Sequence, residues 1–461
     1  MFAPRALIGR SALLVVVDLV IAILAARFAF VILTWWGHPL DAEKDISVLA
    51  PVLGFCYVFA IYFDDLYVID KARTSGDILI ALLGSAIKLA GILGVLMLLV
   101  HRVFLGRRAY LTYIFLATAL LIAWRLVANG LARRSVSRVL LLGSSKIADL
   151  LASEIEQRSH IGYQLLGVAP DIISQSVVGA NSALSIARDF SPLPLEDLIS
   201  RRGSGSLVIE DGHSLPGSTY DLMKLRLRGL RIQDCETFYE QITGKLPVGN
   251  LREQWLLFAP GFICQGWRLH LKRIIDVVAG VILIILTLPI MIVTALCIKL
   301  ESRGPILYSQ LRVGREGGIF RIQKFRSMYQ NSEQLTGAIW ARRNDPRVTR
   351  VGRVIRRLRI DELPQLLNIL VGDMSLVGPR PERPEIIANL ESAISTYAYR
   401  HLVRPGLTGW AQVSYPYGSN LEDAREKLCY DLYYIKNWSL GLDLQIMLQT
   451  VKVVLYGRGA V

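Results

Sequence analysis

The sequence predicts a membrane protein that combines a transmembrane helix bundle with two α/β domains. Apolar residues make up 52% of its 461 residues, and its mean hydropathy is +0.41. Long apolar runs fill the first third of the chain, and another run ends at residue 300. Strand-like and helix-like patterns alternate elsewhere, and a chain of this length is expected to form two or more domains. We predict a four-helix bundle at 1–132, a Rossmann-like domain at 133–255 and a mixed α/β domain at 256–461.

Charge and cysteine content restrict the partners and the chemistry. The formal net charge of +14 favours anionic partners. Together with the hydropathy, it points to lipid headgroups and phosphorylated substrates and away from nucleic acid. The five cysteines are scattered and have no CxxC spacing, so neither a disulfide framework nor a zinc site is expected.

Four apolar segments in the first third are candidates to span a bilayer, and the second is the shortest. They cover residues 12–36, 48–63, 78–100 and 110–128. Basic residues before the first segment and after the fourth predict that both ends of the bundle lie in the cytoplasm, although the loop "HRVFLGRR" opposes this rule.

Three charged residues, Asp18, Arg27 and Lys88, fall within these segments. Intramembrane charges are compatible with a transport pathway. We favour the alternative that they pair with each other or extend to the membrane interface.

The chain changes character after the bundle. "RVLLLGSS" has the pattern of a buried strand that ends in a glycine turn, and "KIADLLASEIEQR" has a helical pattern. Further strand-like runs follow, and this alternation predicts the Rossmann-like domain. Its turn contains Gly143 without a GxGxxG motif, so a structural or regulatory role is favoured over nucleotide binding.

A fifth apolar run covers Lys272 to Leu300 and contains Pro289. A spanning helix here would send the rest of the chain outside the cell, but basic residues flank the run on both sides. Proline removes a backbone donor and kinks a helix, so the run could also enter and leave through one face. These observations alone leave both topologies open.

The stretch from Arg342 to Arg359 contains eight arginines and one aspartate, with apolar residues at helical spacing. Such a basic helix is typical of a solvated or lipid-facing surface. It leads directly into Asp361 and Glu362. A carboxylate among arginines can attack phosphorus or hold a divalent ion, or it can simply cap or salt-bridge the helix.

Five passages after residue 271 carry a family resemblance: "KRIIDV", "KFRSM", "NDPRVTRVG", "DELPQLLNILVGDMSLVGPRP" and "VRPGLTGWAQV". Their order and spacing resemble the monotopic phosphoglycosyl transferases, bacterial sugar transferases that act on polyprenyl phosphate. The front half resembles the large members, typified by undecaprenyl-phosphate glucose phosphotransferases. "WAQVSYPYG" looks like the exopolysaccharide-associated branch and leaves the sugar open, with glucose as the first candidate and galactose as the second.

The resemblance implies a reaction and roles for individual residues. Asp361 would attack the β-phosphorus of a UDP-sugar, expel UMP and hold the phospho-sugar until undecaprenyl phosphate accepts it. Glu362 would share Mg²⁺ binding with Asp361. The expected phosphate contacts are Lys324, Arg326, Arg380 and Arg404, and the expected nucleotide loop contains Gly406, Thr408 and Trp410.

The implied substrates also decide the topology. UDP-sugars are cytoplasmic, so we expect the catalytic domain on the cytoplasmic face of a bacterial inner membrane and a re-entrant helix at 272–300, broken at Pro289. The expected partners are UDP-sugar, undecaprenyl phosphate and membrane lipid, with a homodimer as one open oligomeric state. The rival hypothesis is a non-enzymatic transporter or regulatory scaffold. Four spanning segments are few for a transporter, which would not need a cytoplasmic acidic pair.

Overall fold

The computed structural model describes residues 5–35, 43–67, 74–99, 107–134, 137–143, 145–158, 163–169, 205–210, 219–250, 253–262, 266–329, 347–416, 418 and 420–456. Contacts divide the chain into two compact units, Met1–Gly244 and Lys245–Val461. We describe each unit by itself. The division into three domains at 132 and 255 remains a prediction.

The first unit begins with four helices: α1 (Arg5–Trp35), α2 (Glu43–Phe63), α3 (Ser75–Leu99) and α4 (Arg107–Arg134). Three of them contain apolar stretches long enough to cross a membrane, at Leu13–Trp35, Ser75–Leu96 and Arg108–Gly130. The apolar part of α2, Leu49–Phe63, is shorter, as the sequence predicted. Four buried alanines of α1 lie in the core of this bundle, where small side chains allow helices to approach closely. They are Ala22, Ala25, Ala26 and Ala29.

Of the three charged residues Asp18, Arg27 and Lys88, Asp18 and Lys88 form ion pairs. Asp18 is fully buried and forms an ion pair of 2.5 Å with Arg125, whose Nη1 also donates to the carbonyl of Leu66. Lys88 forms an ion pair with Asp64. Pairing is confirmed for Asp18 and Lys88, but the expectation that they pair with each other is wrong. Arg27 is exposed on α1.

A four-stranded parallel sheet follows. Its elements are β1 (Ser137–Leu142), α5 (Lys146–Gln157), β2 (Tyr163–Ala169), β3 (Gly205–Ile209), α6 (Thr219–Leu227), β4 (Arg231–Asp234) and α7 (Cys235–Thr243). The strand order is β2-β1-β3-β4. Residues 170–204, between β2 and β3, lie outside the described residues, so the Rossmann-like assignment remains a prediction.

At the carboxyl end of this sheet, an acidic side chain lies where a nucleotide-binding site would hold the phosphate of its ligand. The chain order reverses between β1 and β3, and ligands of parallel sheets bind at such a switch point. Here Glu210, which follows β3, accepts a hydrogen bond of 3.1 Å from the backbone N–H of Ser145, the N-cap of α5. A Cβ on Gly143 would lie 2.6 Å from the Glu210 carboxylate, so the turn needs glycine to admit this acid. The acid therefore takes a donor that a phosphate would use.

The second unit contains helices, an antiparallel pair of strands and a parallel pair of strands. Its helices are α8 (Glu253–Phe258), α9 (Gly266–Glu301), α10 (Arg350–Arg357), α11 (Gln365–Val371), α12 (Pro384–Ala393), α13 (Trp410–Ser414), α14 (Leu421–Asn437) and α15 (Leu440–Leu455). The sequence runs "PILYSQLRVG" and "IFRIQKFRSM" are strand-like, and they form the antiparallel pair β5 (Leu307–Val313) and β6 (Ile319–Phe325). β7 (Ser375–Val377) pairs in parallel with β8 (Gly406–Thr408).

The apolar helix α9 is 36 residues long, contains Pro289 and is also long enough to cross a membrane. Asp276, near the beginning of α9, and Glu301, its last residue, both accept hydrogen bonds from other parts of the second unit. Asp276 accepts hydrogen bonds from the Ser375 hydroxyl at 2.7 Å and from the Leu376 N–H at 3.2 Å. At the other end, Glu301 accepts from the N–H groups of Arg350 and Val351 at 2.7 and 3.1 Å. Between these ends the helix exposes an apolar surface that includes Ile285 and Val293.

Candidate active site

A short 3-10 turn, Ile360–Glu362, positions the acidic pair between α10 and α11. Arg359 precedes it in the left-handed region, with φ of 58°, which allows a sharp change of direction after α10. Asp361 and Glu362 are each only 8% exposed. The predicted basic helix is confirmed over Arg350–Arg357, and the part of the arginine-rich stretch before residue 347 lies outside the described residues.

Glu362 is surrounded by cations. Its Oε1 accepts from Arg380 Nη2 at 2.7 Å and from Lys324 Nζ at 3.2 Å, and its Oε2 lies 3.6 Å from Arg359 Nη1. Burial raises the pKa of Glu362, but Arg380, Lys324 and Arg359 outweigh that effect and hold the pKa well below its ordinary value. Glu362 is therefore a permanent anion that gathers basic side chains.

Asp361 differs from its neighbour. Within the part of the chain that the structure describes, its carboxylate accepts no hydrogen bond and forms no ion pair. Burial and the charge of Glu362 raise its pKa to about 6, although Lys324, Arg356 and Arg359 lower it. Two neighbouring carboxylates with pKa values shifted in opposite directions are typical of catalytic acid pairs. Asp361 is the carboxylate that is available to react.

The main chain that carries Arg380 is fixed along four residues. Each carbonyl of Pro379–Glu382 accepts a hydrogen bond of 2.9 to 3.0 Å. The donors, in order, are Gly406 N, Arg400 Nη2, Arg312 Nη1 and Val313 N. Pro379 and Pro381, on either side of Arg380, also restrict the backbone of this segment. The Arg380 guanidinium is therefore presented to Glu362 from a rigid segment.

Arg400 is the donor that sequence reasoning missed. It is 6% exposed, forms an ion pair of 2.8 Å with Asp431 on α14, and contacts the Tyr397 hydroxyl. Burial raises the pKa of Asp431 to about 6, although Arg400 lowers it. The available signal was an acid within the apolar run "LCYDLYYI" and an arginine close to "VRPG". The sequence shows that Arg400 and Asp431 are charged, but not that they pair with each other.

The four predicted phosphate contacts separate into different places. Lys324 and Arg380 lie at the acidic pair, as described above. Arg326 donates to the carbonyls of Ser302 and Arg303 at 2.8 and 2.9 Å, at the end of α9. Burial, together with the charges of Arg273 and Arg315, lowers the pKa of Arg404. Phosphate binding by any of the four remains a prediction.

The predicted nucleotide loop is packed into the second unit. Gly406 lies so close to Gly378 that a Cβ would be 2.1 Å from the Gly378 nitrogen. The Thr408 hydroxyl lies 2.6 Å from that of Thr450, and Trp410 is buried and stacked on Tyr433. The side chains of Thr408 and Trp410 thus have structural partners, and a nucleotide role for this loop remains a prediction. A small cleft opens nearby, and its lining includes Arg380, Arg400 and Pro405.

The acidic pair meets the minimum requirement for Mg²⁺. Mg²⁺ usually binds through one or two carboxylates and completes its coordination with water and substrate phosphates. The described residues contain no group of three or more His, Cys, Asp or Glu residues that could hold a metal without such help. Asp361 offers carboxylate oxygens to which no described residue bonds, whereas Glu362 would have to share its oxygens with Arg380 and Lys324. The donor set therefore fits a metal that arrives with the substrate.

Comparisons with known proteins identify the family to which the second unit is similar. The bacterial sugar transferase family model matches residues 267–457, which include the acidic pair. A UDP-N-acetylgalactosamine-undecaprenyl-phosphate N-acetylgalactosaminephosphotransferase of Aeromonas hydrophila is 47% identical over 52% of the chain. An undecaprenyl-phosphate glucose phosphotransferase of Komagataeibacter xylinus is 35% identical over 72% of the chain.

The shared length differs among these relatives. The chain spans 56% and 61% of the lengths of the Aeromonas and Komagataeibacter proteins. A UDP-glucose:undecaprenyl-phosphate glucose-1-phosphate transferase of Klebsiella pneumoniae is 40% identical over 68% of the chain and 67% of its own length. The matches to the Komagataeibacter and Klebsiella proteins extend beyond the region of the family model and into the first unit. The chain is therefore a large member of the bacterial sugar transferase family.

Proposed function

We propose that the chain transfers a sugar-1-phosphate from a UDP-sugar to undecaprenyl phosphate and releases UMP, at the start of exopolysaccharide or capsule repeat-unit assembly. The observation that carries this proposal is the contrast within the acidic pair. Glu362 holds three cations in place, and Asp361 lies among them without an ion pair or hydrogen bond to its carboxylate from the described residues. An unpartnered carboxylate in a cationic field suits attack on an anionic diphosphate.

The reaction has two displacements. In the first, a carboxylate oxygen of Asp361 bonds to the β-phosphorus, the bond from that phosphorus to the bridging oxygen breaks, and UMP leaves. In the second, an oxygen of undecaprenyl phosphate attacks the same phosphorus, and the carboxylate of Asp361 is restored. One phosphoanhydride replaces another, so the reaction needs no further energy source.

The basic residues would stabilise the charge that develops in each step. Arg380 is held on a fixed segment, and its fork can reach phosphate oxygens beside Glu362. Lys324 is partly buried and adds a point charge on the same side. Mg²⁺, when bound by Asp361 and Glu362, would neutralise diphosphate oxygens and assist the departure of UMP.

Support for a re-entrant α9 comes from its two ends. Asp276 and Glu301 lie 25 residues apart (301 − 276) and both bond to the segment from Arg350 to Leu376. A straight helix would separate them by about 37 Å, more than the hydrocarbon core of a bilayer. A bend at Pro289 would return the helix to one face. We therefore place the catalytic unit at the cytoplasmic face of a bacterial inner membrane.

The sugar is the least constrained part of the proposal. Glucose is the first candidate, because two of the relatives named above are glucose transferases. The Aeromonas relative makes N-acetylgalactosamine a further candidate beside galactose. For the first unit we propose a Rossmann-like domain with a structural or regulatory role, since Glu210 occupies a donor at its sheet edge.

A direct assay tests the reaction. The purified chain is incubated with undecaprenyl phosphate, Mg²⁺ and one radiolabelled UDP-sugar at a time: glucose, galactose or their N-acetyl forms. We expect UMP release and label in the lipid phase with one of them. Asp361→Asn should lower the rate by at least about 1,000-fold, because a carboxamide cannot act as the nucleophile. Full activity of Asp361→Asn would refute the assigned nucleophile, and no UMP from any of the four sugars would refute the proposed reaction.

A further inference from the structure

A short segment before α9 presents apolar side chains outward. Leu257 and Phe258, at the end of α8, are 81% and 87% exposed. The structure holds this segment firmly. The N–H of Phe262 donates to the carbonyl of Lys436 at 3.1 Å, and Lys436 Nζ lies 4.1 Å from the ring centre of Trp255.

The turn that follows α8 fixes the direction of these side chains. Gly261 and Phe262 both have positive φ, 129° and 56°. A Cβ on Gly261 would lie 2.7 Å from the Lys436 carbonyl oxygen, so only glycine allows this approach. Bulky residues rarely adopt positive φ, so the conformation of Phe262 is imposed by its surroundings.

The residues around this segment have the composition of a membrane interface. Lys272, in α9, forms an ion pair of 2.7 Å with Asp443 and lies 6.0 Å from the ring centre of Trp438. Trp438 follows Lys436 closely in sequence and donates to Asp443 at 3.1 Å. Trp267, in the first turn of α9, is 62% exposed. Tryptophans mixed with lysines are enriched where a membrane helix leaves the hydrocarbon core.

We propose that Trp255–Phe262, here called the α8 segment, is an interfacial membrane contact in which Leu257 and Phe258 insert among lipid headgroups beside the start of α9. The occupant is the bilayer itself, because the segment ends four positions before α9, which has an exposed Trp267 in its first turn and is long and apolar enough to cross a membrane. The segment would fix the height at which the second unit meets the membrane. This inference rests on the membrane location of α9 and not on the transferase reaction.

The test measures where residue 258 lies. A full-length variant in which the five native cysteines are replaced by alanine receives one new cysteine, labelled with an environment-sensitive nitrobenzoxadiazole probe. It is reconstituted in vesicles of phosphatidylethanolamine and phosphatidylglycerol. Phe258→Cys is compared with Ile285→Cys on the exposed surface of α9 and with Leu227→Cys on α6. Leu227 is 86% exposed and is the matched control for Phe258.

Lipids brominated near the carbonyl end of their chains should quench the probe at 258, and aqueous iodide should quench it much less than the probe at 227. The probe at 285 should be quenched by lipids brominated deeper in the chain. Equal iodide quenching at 258 and 227 would refute the membrane contact. Protection at 258 from both quenchers would also refute it, because it would mean that protein covers the segment, either from the first unit or from a second copy. None of these outcomes depends on activity.

Discussion

Two regions of the chain bring a carboxylate to a place that attracts anions, and they use it in opposite ways. At the edge of the parallel sheet, Glu210 accepts the N–H of Ser145 and so satisfies the donor from within the protein. In the second unit, Glu362 takes the ion pairs, and Asp361 accepts none within the described residues. Groups that attract anions are thus available to a substrate only where carboxylates of the protein do not already satisfy all of them. The predictions below test this difference.

After the replacement of Asp361 itself, replacement of Glu362 should have the largest effect. Glu362→Gln removes the charge that gathers Arg380, Lys324 and Arg359, so these side chains lose their orientation toward Asp361. We expect UMP release to fall by about 100-fold to 1,000-fold, the usual effect of removing one preorganised charged group. The control is Glu385→Gln, because Glu385 is 66% exposed in its pair with Arg383. It should change the rate by less than about twofold. Equal rates for both variants would mean that Glu362 does not organise the site.

Loss of Arg400 should act through Arg380. Arg400→Lys keeps the charge but cannot bond the Arg380 carbonyl, Asp431 and Tyr397 together, because an ammonium lacks the planar fork. We expect kcat to fall by about tenfold with a smaller change in KM, because a misplaced catalytic group slows the chemical step.

A double-mutant cycle separates positioning from simple destabilisation. Arg380→Ala should remove most of the benefit that Arg400 provides, so Arg380→Ala/Arg400→Lys should be about as slow as Arg380→Ala alone. Thermal melting of each variant provides the control for folding. If the two losses multiplied instead, Arg400 would contribute independently of Arg380.

The buried Asp431 should give the rate a moderate pH dependence. Its pKa is raised to about 6 by burial and by Glu382, against the lowering effects of Arg400 and Lys427. As the pH falls from 8 to 5, Asp361, whose pKa is also raised to about 6, loses its nucleophilic form, and Asp431 gains a proton so that its hold on Arg400 weakens. Both changes should lower kcat, and the part caused by Asp431 is the part that its replacement removes. Asp431→Asn should be slower at pH 8 and show a smaller decline over this range. An unchanged profile in the variant would assign the acid limb to another group.

The same raised pKa has a consequence for stability with a fixed sign. The folded protein binds this proton more tightly than the unfolded chain, so the ionised acid destabilises the fold. The contribution of Asp431 to stability is therefore greatest below its unfolded pKa and is lost as the pH rises through about 6. Asp431→Asn should remove this part of the pH dependence of thermal melting.

Sequence reasoning located elements and residue types better than partners. The apolar runs, β5, β6 and the acidic pair could be predicted because periodicity and composition are local properties. The pairs Asp18–Arg125 and Arg400–Asp431 could not, because tertiary packing decides which charges meet. The α8 segment was missed for another reason. The six residues of helix α8 are too few to stand out in a search for spanning segments, and the exposure of Leu257 and Phe258 is visible only in the fold.

The smallest effect is expected at the sheet edge. Glu210→Gln keeps an acceptor for the Ser145 N–H but removes the charge that opposes an incoming phosphate. If this edge is already satisfied from within, UMP release should stay within about twofold of the parent, and melting should show a loss of no more than about 1 kcal/mol. A tenfold loss of activity with unchanged melting would contradict the contrast drawn here. It would show that the sheet edge, like Asp361, takes part in the reaction, and that an internally bonded carboxylate is not a reliable sign of an unused site.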